Sequence, residues 1–289
     1  MSTIIVVDSA SDIPREDAKK MGMTLLPMHV YFGNEEYLEG VTLSNDQFYE
    51  KLVETDTFPK TSQIPPAEYE DAFKKILDES SENEIVCITV SAGLSGCYQS
   101  ACMAATEFPG RVFVVDSMTV SLAEKIIAEF GQKLADEGKT AREVAEILEI
   151  KKNDAQIIAL LDTLEYLKKG GRISSAVALA GNLLSIKPVV TTENGEVVLL
   201  GQARGSKAGN NKLNEFVKKT GGIDFTMPIC LGYTGLDDKL LSKYANDSKE
   251  LYAEYDKPLG RYRIGCAVGT HVGPGAIATA FFSKSDSDK

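Results

Sequence analysis

The stretch Val90-Ser91-Ala92-Gly93-Leu94-Ser95-Gly96-Cys97-Tyr98-Gln99-Ser100-Ala101 decides the fold class, because it passes from an apolar run through two glycines into a helical pattern. The run that feeds it, residues 84–91, is rich in Val and Ile, as are residues 3–8 and 111–116. Short apolar runs of this kind are strands covered on both faces. Helical patterns at residues 67–78, after Pro65-Pro66, and at residues 95–106 separate them. This repeated strand–helix order builds an α/β fold, a Rossmann-like parallel sheet with helices on both faces.

Further helices are expected at residues 121–137, closed by Gly138, and at 140–152, capped by Thr140. A strand at 155–161 leads to the basic turn Lys168-Lys169-Gly170-Gly171-Arg172 and an almost uncharged helix at 174–186. Residues 187–204 read as a hairpin, with two apolar arms flanking Asn194-Gly195, a dipeptide suited to positive φ. Helices at 206–219 and 236–252, strands at 228–233 and 262–268, and a last helix after Gly273-Pro274-Gly275 follow. At 289 residues the chain fits two domains: an α/β domain over 1–154, and an α+β domain over 155–289 with an antiparallel-containing sheet.

Lys plus Arg number 31 and Asp plus Glu 42, a formal charge of −11, which disfavours nucleic acid and anionic membranes as partners. Met1-Ser2-Thr3 runs directly into a strand pattern without a leader signature, and no apolar stretch is long enough for membrane insertion. Five cysteines, an odd number with no CxxC pair, and only two histidines argue against a disulfide framework and against a metal site. A reducing, cytoplasmic setting is expected.

Ser95 stands at the expected start of a helix that follows a buried strand. Its hydroxyl and the N–H groups of Gly96 and Cys97 form an arrangement that accepts a carboxylate or phosphate oxygen. A plain helix cap is the equal alternative. Thr61-Ser62 lies in a proline-stiffened loop, Phe58 to Pro66, where two hydroxyls are held cheaply or simply form the turn. His271, in Gly269-Thr270-His271-Val272-Gly273, can donate to an anion or be structural; His29, within the strand pattern 25–32, reads as structural. A serine hydrolase using Ser95 and His271 is the competing reading. Its elbow is incomplete, because Gly93-Leu94-Ser95-Gly96-Cys97 places a glycine directly after the serine and none one position further. Neither nucleotide-binding glycine pattern occurs.

Taken in order, several segments resemble the DegV family of bacterial proteins. They are Asp8-Ser9-Ala10-Ser11-Asp12-Ile13-Pro14, Thr61-Ser62-Gln63-Ile64-Pro65, Leu94 to Ala101, Val115-Asp116-Ser117, Leu164 to Ser174, Lys187-Pro188 and Gly269 to Gly275. The resemblance implies a DegV-like two-domain fold and a non-catalytic, lipid-binding subunit of a bacterial fatty acid kinase. Such a subunit encloses a long-chain fatty acid between its domains and presents the carboxylate to a separate ATP-dependent kinase. The acyl phosphate then enters phospholipid synthesis, possible through a downstream acyltransferase, and no cofactor is implied. By position, Thr61, Ser62, Ser95 and Gly96 would hold the carboxylate with His271, while Arg172, Arg204 and Lys207 would contact the partner or the phosphate. The apolar helix would line the tunnel through Ala176, Leu179, Ala180, Leu183 and Leu184. Two departures bear on the tunnel: Cys97 replaces a usual threonine, and Ala123-Glu124-Lys125 replaces a small glycine-bearing run.

Overall fold

The computed structural model describes residues 2–173 and 186–284. The chain opens with β1 (Ser2–Asp8), α1 (Arg15–Lys20) and β2 (Thr24–Leu26). A hairpin of β3 (His29–Phe32) and β4 (Glu35–Leu38) leads to α2 (Asn45–Glu54), β5 (Lys60–Ser62) and α3 (Pro66–Glu79). Then come β6 (Asn83–Thr89), α4 (Cys97–Ala105), β7 (Val112–Asp116), α5 (Leu122–Asp136) and α6 (Ala141–Lys151).

Strands β2-β1-β6-β7 form a parallel sheet, with Ile5 opposite Val86 and Cys87 opposite Val114. Residues 85–89 of β6 are all buried, as a strand covered on both faces requires. Helices α3 and α4 pack together against this sheet, as do α5 and α6. Thr140 closes α6 with a full capping box, its hydroxyl accepting from Glu143 N while the Glu143 carboxylate accepts from Thr140 N.

The remaining elements are β8 (Ala155–Leu160), α7 (Glu165–Lys169), β9 (Ile186–Glu193), β10 (Glu196–Arg204), α8 (Ser206–Lys219), β11 (Cys230–Tyr233), α9 (Lys239–Asp247), β12 (Gly260–Arg263), α10 (Cys266–Val272) and β13 (Ile277–Phe282). Six strands in the order β10-β9-β8-β13-β11-β12 form a mixed sheet in which only β11 and β12 are parallel. The expected hairpin is present, with Asn194 at φ 51° and Gly195 at φ 80°. The fold class expected from the sequence is therefore found.

Several element assignments change. The expected strand at 262–268 ends at Arg263, and Cys266–Val272 is a helix; the expected helix after Gly275 is strand β13. Both are short apolar runs that lack a resolvable period, and their neighbours decide them. β13 is buried along its whole length between β8 and β11, while α10 packs against α2, β3 and β5. The expected helix 236–252 is shorter, with α9 followed by a 3₁₀ turn over Lys249–Tyr252. A third, antiparallel sheet, β4-β3-β5, places Thr61 opposite Val30, so Thr61 and Ser62 lie in a strand and not in a loop.

Helix α5 connects the two larger sheets. It packs on β1 and β6 on one side and on β8, β11 and β13 on the other, and Leu122 through Ala128 are all buried. A methyl group on Gly232 of β11 would lie 2.5 Å from Leu122 Cδ1, so the helix and strand approach as closely as glycine permits. The result is one continuous core that joins Ile5, Val86 and Ile126 to Ile157, Ala278 and Phe282. Leu122→Ala should therefore cost about 2–5 kcal/mol, read as a lower urea midpoint with an unchanged slope. A loss below about 1 kcal/mol would contradict tight packing at this junction.

Candidate functional site

Where the Ser95 loop, β5 and α10 meet, a cavity of about 70 Å³ opens. Thr61, Ser62, Ser95, Arg172 and His271 supply its polar lining, and Ala10, Met28, Val90, Val120, Ala267 and Val268 much of its apolar lining. Four of the five residues expected to hold a carboxylate are thus gathered in one place. The fifth, Gly96, caps α4 without lining the cavity. A side chain at that position would displace the Gln63 amide, since a Cβ would stand 1.8 Å from Gln63 Oε1.

The helix begins two residues later than the sequence predicts, so its cap is Gly96 and Ser95 lies just outside it. The Ser95 hydroxyl still accepts from Cys97 N at 3.4 Å, and donates to Cys97 Sγ at 3.3 Å. The strand segment carrying Thr61 is docked on α4, because Gln63 Nε2 donates to Ser100 Oγ at 2.9 Å and Ile64 N to Cys97 Sγ at 3.5 Å.

His271 occupies the last turn of α10, and its Nε2 lies 2.8 Å from Thr61 Oγ1. Among the described residues, Nδ1 is buried without a partner. Gly170 makes room for the ring, as a Cβ there would lie 2.1 Å from Nδ1. Burial, and then the nearby Arg172 guanidinium, push the imidazole down to about 4, so it is neutral at pH 7. With one proton to place, the tautomer that leaves Nδ1 a bare acceptor puts the hydrogen on Nε2, where Thr61 Oγ1 accepts it. The Thr61 hydroxyl proton is then free to donate into the cavity. Arg172 is held by the Leu94 carbonyl, which accepts from Nε at 3.1 Å, and by the Gly170 carbonyl, which accepts from Nη1 at 2.6 Å. The arrangement offers hydroxyl donors, a neutral imidazole and one guanidinium at an otherwise apolar chamber, which suits an anionic head on an apolar body.

Other expected residues lie elsewhere. Arg204 ends β10 and Lys207 sits in the first turn of α8; both are exposed, and neither lines the cavity. Ala176, Leu179, Ala180, Leu183 and Leu184 fall outside the described residues. His29 is structural, as read, its ring nitrogens meeting Glu36 at 2.7 Å and Glu68 at 3.1 Å. The pair expected of a hydrolase is not formed, because His271 is bonded to Thr61 and the Ser95 proton goes to sulfur. Among the described residues no group of His, Cys, Asp or Glu is placed to hold a metal ion, and no helix is long and apolar enough to cross a membrane.

Sequence reasoning missed a set of buried acids behind this cavity. Asp8 accepts from Ala10 N at 3.0 Å and Val90 N at 2.8 Å, and both residues line the cavity. Asp12 accepts from Ser121 Oγ and from Gly265 N at 2.7 Å; Glu39 accepts from Ser9 Oγ at 2.6 Å and Ala267 N at 3.1 Å. These carboxyls fasten the loops that carry the site. The motif Asp8 to Pro14 contained the signal for two of them, whereas Glu39 has none. Glu124 is fully buried with its carboxyl beside that of Asp8, and among the described residues no other group bonds its oxygens. Burial raises all four, Asp8 to about 7.

The chain has close relatives. The model of the DegV family, described as an uncharacterised protein family, matches residues 2–284. A DegV domain-containing protein of Deinococcus radiodurans is 34% identical over 284 residues, covering 97% of this chain and 98% of that one. A solved structure described as fatty acid binding of a DegV family protein from Thermus thermophilus superposes with a TM-score of 0.87 at 29% identity, covering 98% and 100%. A DegV family protein from Eubacterium eligens loaded with heptadecanoic acid superposes with a TM-score of 0.81 at 25% identity, again covering 98% and 100%.

The buried groups set a pH dependence. A carboxyl raised on folding keeps a proton that the unfolded chain has released, so for Asp8 stability drains as pH climbs from its ordinary 3.8 to about 7. His271 has the opposite sign: its folded value near 4 against an ordinary 6.5 makes stability rise with pH across that window. Above 6.5 only the acids act. The melting temperature should fall between pH 6.5 and pH 8, and Asp8→Asn should reduce that fall. A melting temperature that rises over this interval would contradict the buried acids.

Proposed function

We propose, from the premise that this chain belongs to the DegV family, that it encloses a long-chain fatty acid whose carboxylate is held by Thr61, Ser62 and Ser95 with His271. The observation that carries the reading is the Thr61–His271 hydrogen bond at the head of an apolar cavity. With the imidazole proton on Nε2 it frees the Thr61 proton for the chamber, which Ser62 and Ser95 also line. Relatives of the same fold are described as binding fatty acids, one of them loaded with heptadecanoic acid, and this supports the same ligand here. The head group alone is not enough for affinity. Each buried methylene contributes about 0.8 kcal/mol before association costs, so the tail supplies most of the gross gain.

In this reading the chain is a carrier and not an enzyme. The fatty acid lies between residues 1–154 and 155–289. A separate ATP-dependent kinase phosphorylates the presented carboxylate in the cytoplasm, and an acyltransferase receives the acyl phosphate for phospholipid synthesis. The exposed Arg204 and Lys207, together with Arg172 at the cavity, give an otherwise acidic protein basic groups for the kinase or the phosphate.

Protein purified from bacteria should release an acyl chain on organic extraction, visible by mass spectrometry. Ser95→Ala should leave the melting temperature within a few degrees of wild type and weaken palmitate binding about tenfold or more, since a hydrogen bond to a charged group is worth about 1.5–3 kcal/mol. Delipidated protein that gains no thermal stability from any long-chain fatty acid would sink the proposal. Labelling by a fluorophosphonate that Ser95→Ala abolishes would favour the hydrolase instead.

A further inference from the structure

Beneath the Ser95 loop, one side chain touches three segments of the site at once. Cys97 Sγ accepts from Ser95 Oγ at 3.3 Å and from Ile64 N at 3.5 Å, and its S–H donates to Met28 Sδ at 3.4 Å. Ser95 and Met28 line the cavity, and Ile64 follows two residues after Ser62. The residue is inaccessible to solvent, and burial pushes its thiol up to about 12. It is thus a neutral S–H group that neither repels a carboxylate nor reacts as a thiolate.

The identity of the atom matters for Ser95. Sulfur is a weak acceptor, so the Ser95 proton rests on a partner that a carboxylate oxygen readily outcompetes. The exchange keeps Ser95 oriented by Cys97 N, which donates to the same hydroxyl oxygen. A hydroxyl at position 97 would hold that proton more firmly and would reach less far toward Met28 and Ile64. The large, soft sulfur reaches all three neighbours at once.

We infer that Cys97 is a positioning residue for carboxylate recognition, which aims the Ser95 hydroxyl and sets the spacing between Ser95 and the Thr61-Ser62 pair. This rests on the fatty-acid reading above. Its effect passes through Ser95, so it is tested by the coupling between the two residues and not by the loss from one substitution.

The experiment is a double-mutant cycle of Ser95→Ala and Cys97→Ala, with palmitate affinity measured by displacement of a fluorescent fatty acid from delipidated protein, and melting temperatures taken for every variant. Ser95→Ala should weaken palmitate about tenfold in the wild-type background and less than about threefold in the Cys97→Ala background. The carboxyl resonance of 1-¹³C-palmitate should move in Cys97→Ala toward its position in Ser95→Ala. Cys97→Ser should fold and bind more weakly than wild type. Should Cys97→Ala unfold, the same cycle in Cys97→Ser decides. Equal factors in both backgrounds, with an unmoved carboxyl resonance, would show that Cys97 only fills space and would overturn the inference while leaving the fatty-acid reading intact. Failure of the wild type to bind palmitate or any other long-chain fatty acid would remove both.

Discussion

Helix α5 has no solvent face over its first two turns, and the rest of the structure depends on that. A helix buried all round must be covered on every side, and here the covering comes from a parallel sheet on one side and a mixed sheet on the other. The two halves of the chain therefore share one core. Their relative placement is set by side-chain packing between Leu122 and β11, and not by a linker. Because the cavity draws Ala10, Met28 and Val90 from the first half and Ala267, Val268 and His271 from the second, its shape follows from how α5 seats both sheets.

Polar groups do the finer work at the edge where the parallel strands end. Asp8, Asp12 and Glu39 accept hydrogen bonds from backbone groups and serine hydroxyls of loops that would otherwise have no fixed partner. Burying these acids costs ionisation free energy, which the loops repay in order. Glu124 does not fit that account, since among the described residues it has the Asp8 carboxyl beside it but fastens no loop. Next to it, Lys125 is equally buried, but it is paired with Glu129 and lies 4.1 Å from the centre of the Tyr262 ring.

Much of this was legible in the sequence, and what was not has physical reasons. Strands β1 and β6 announced themselves as uniform apolar runs because both faces of a central parallel strand are covered. Thr140 and Asn194-Gly195 act locally, so their roles could be read locally. By contrast, Cys266–Val272 and Ile277–Phe282 exchanged helix for strand, since runs of six or seven small apolar residues satisfy either period and only their neighbours decide. The sequence singled out Thr61, Ser62, Ser95 and His271, which line one cavity, yet the Thr61–His271 bond was invisible because it spans 210 positions. The burial of Glu124 was not legible either, because the two sheets that cover it are built from strands distant in sequence.

That separation in sequence also bears on how the protein is made. α10 packs against α2, β3 and β5, elements formed from residues 29–62, but it is itself translated long after them. A ribosome-bound chain can build the parallel sheet early, since its strands lie within residues 2–116. The pocket head stays unfinished until the imidazole emerges and docks. On the fatty-acid reading, a nascent or prematurely terminated chain that lacks α10 would therefore not hold the ligand that a chain carrying it would.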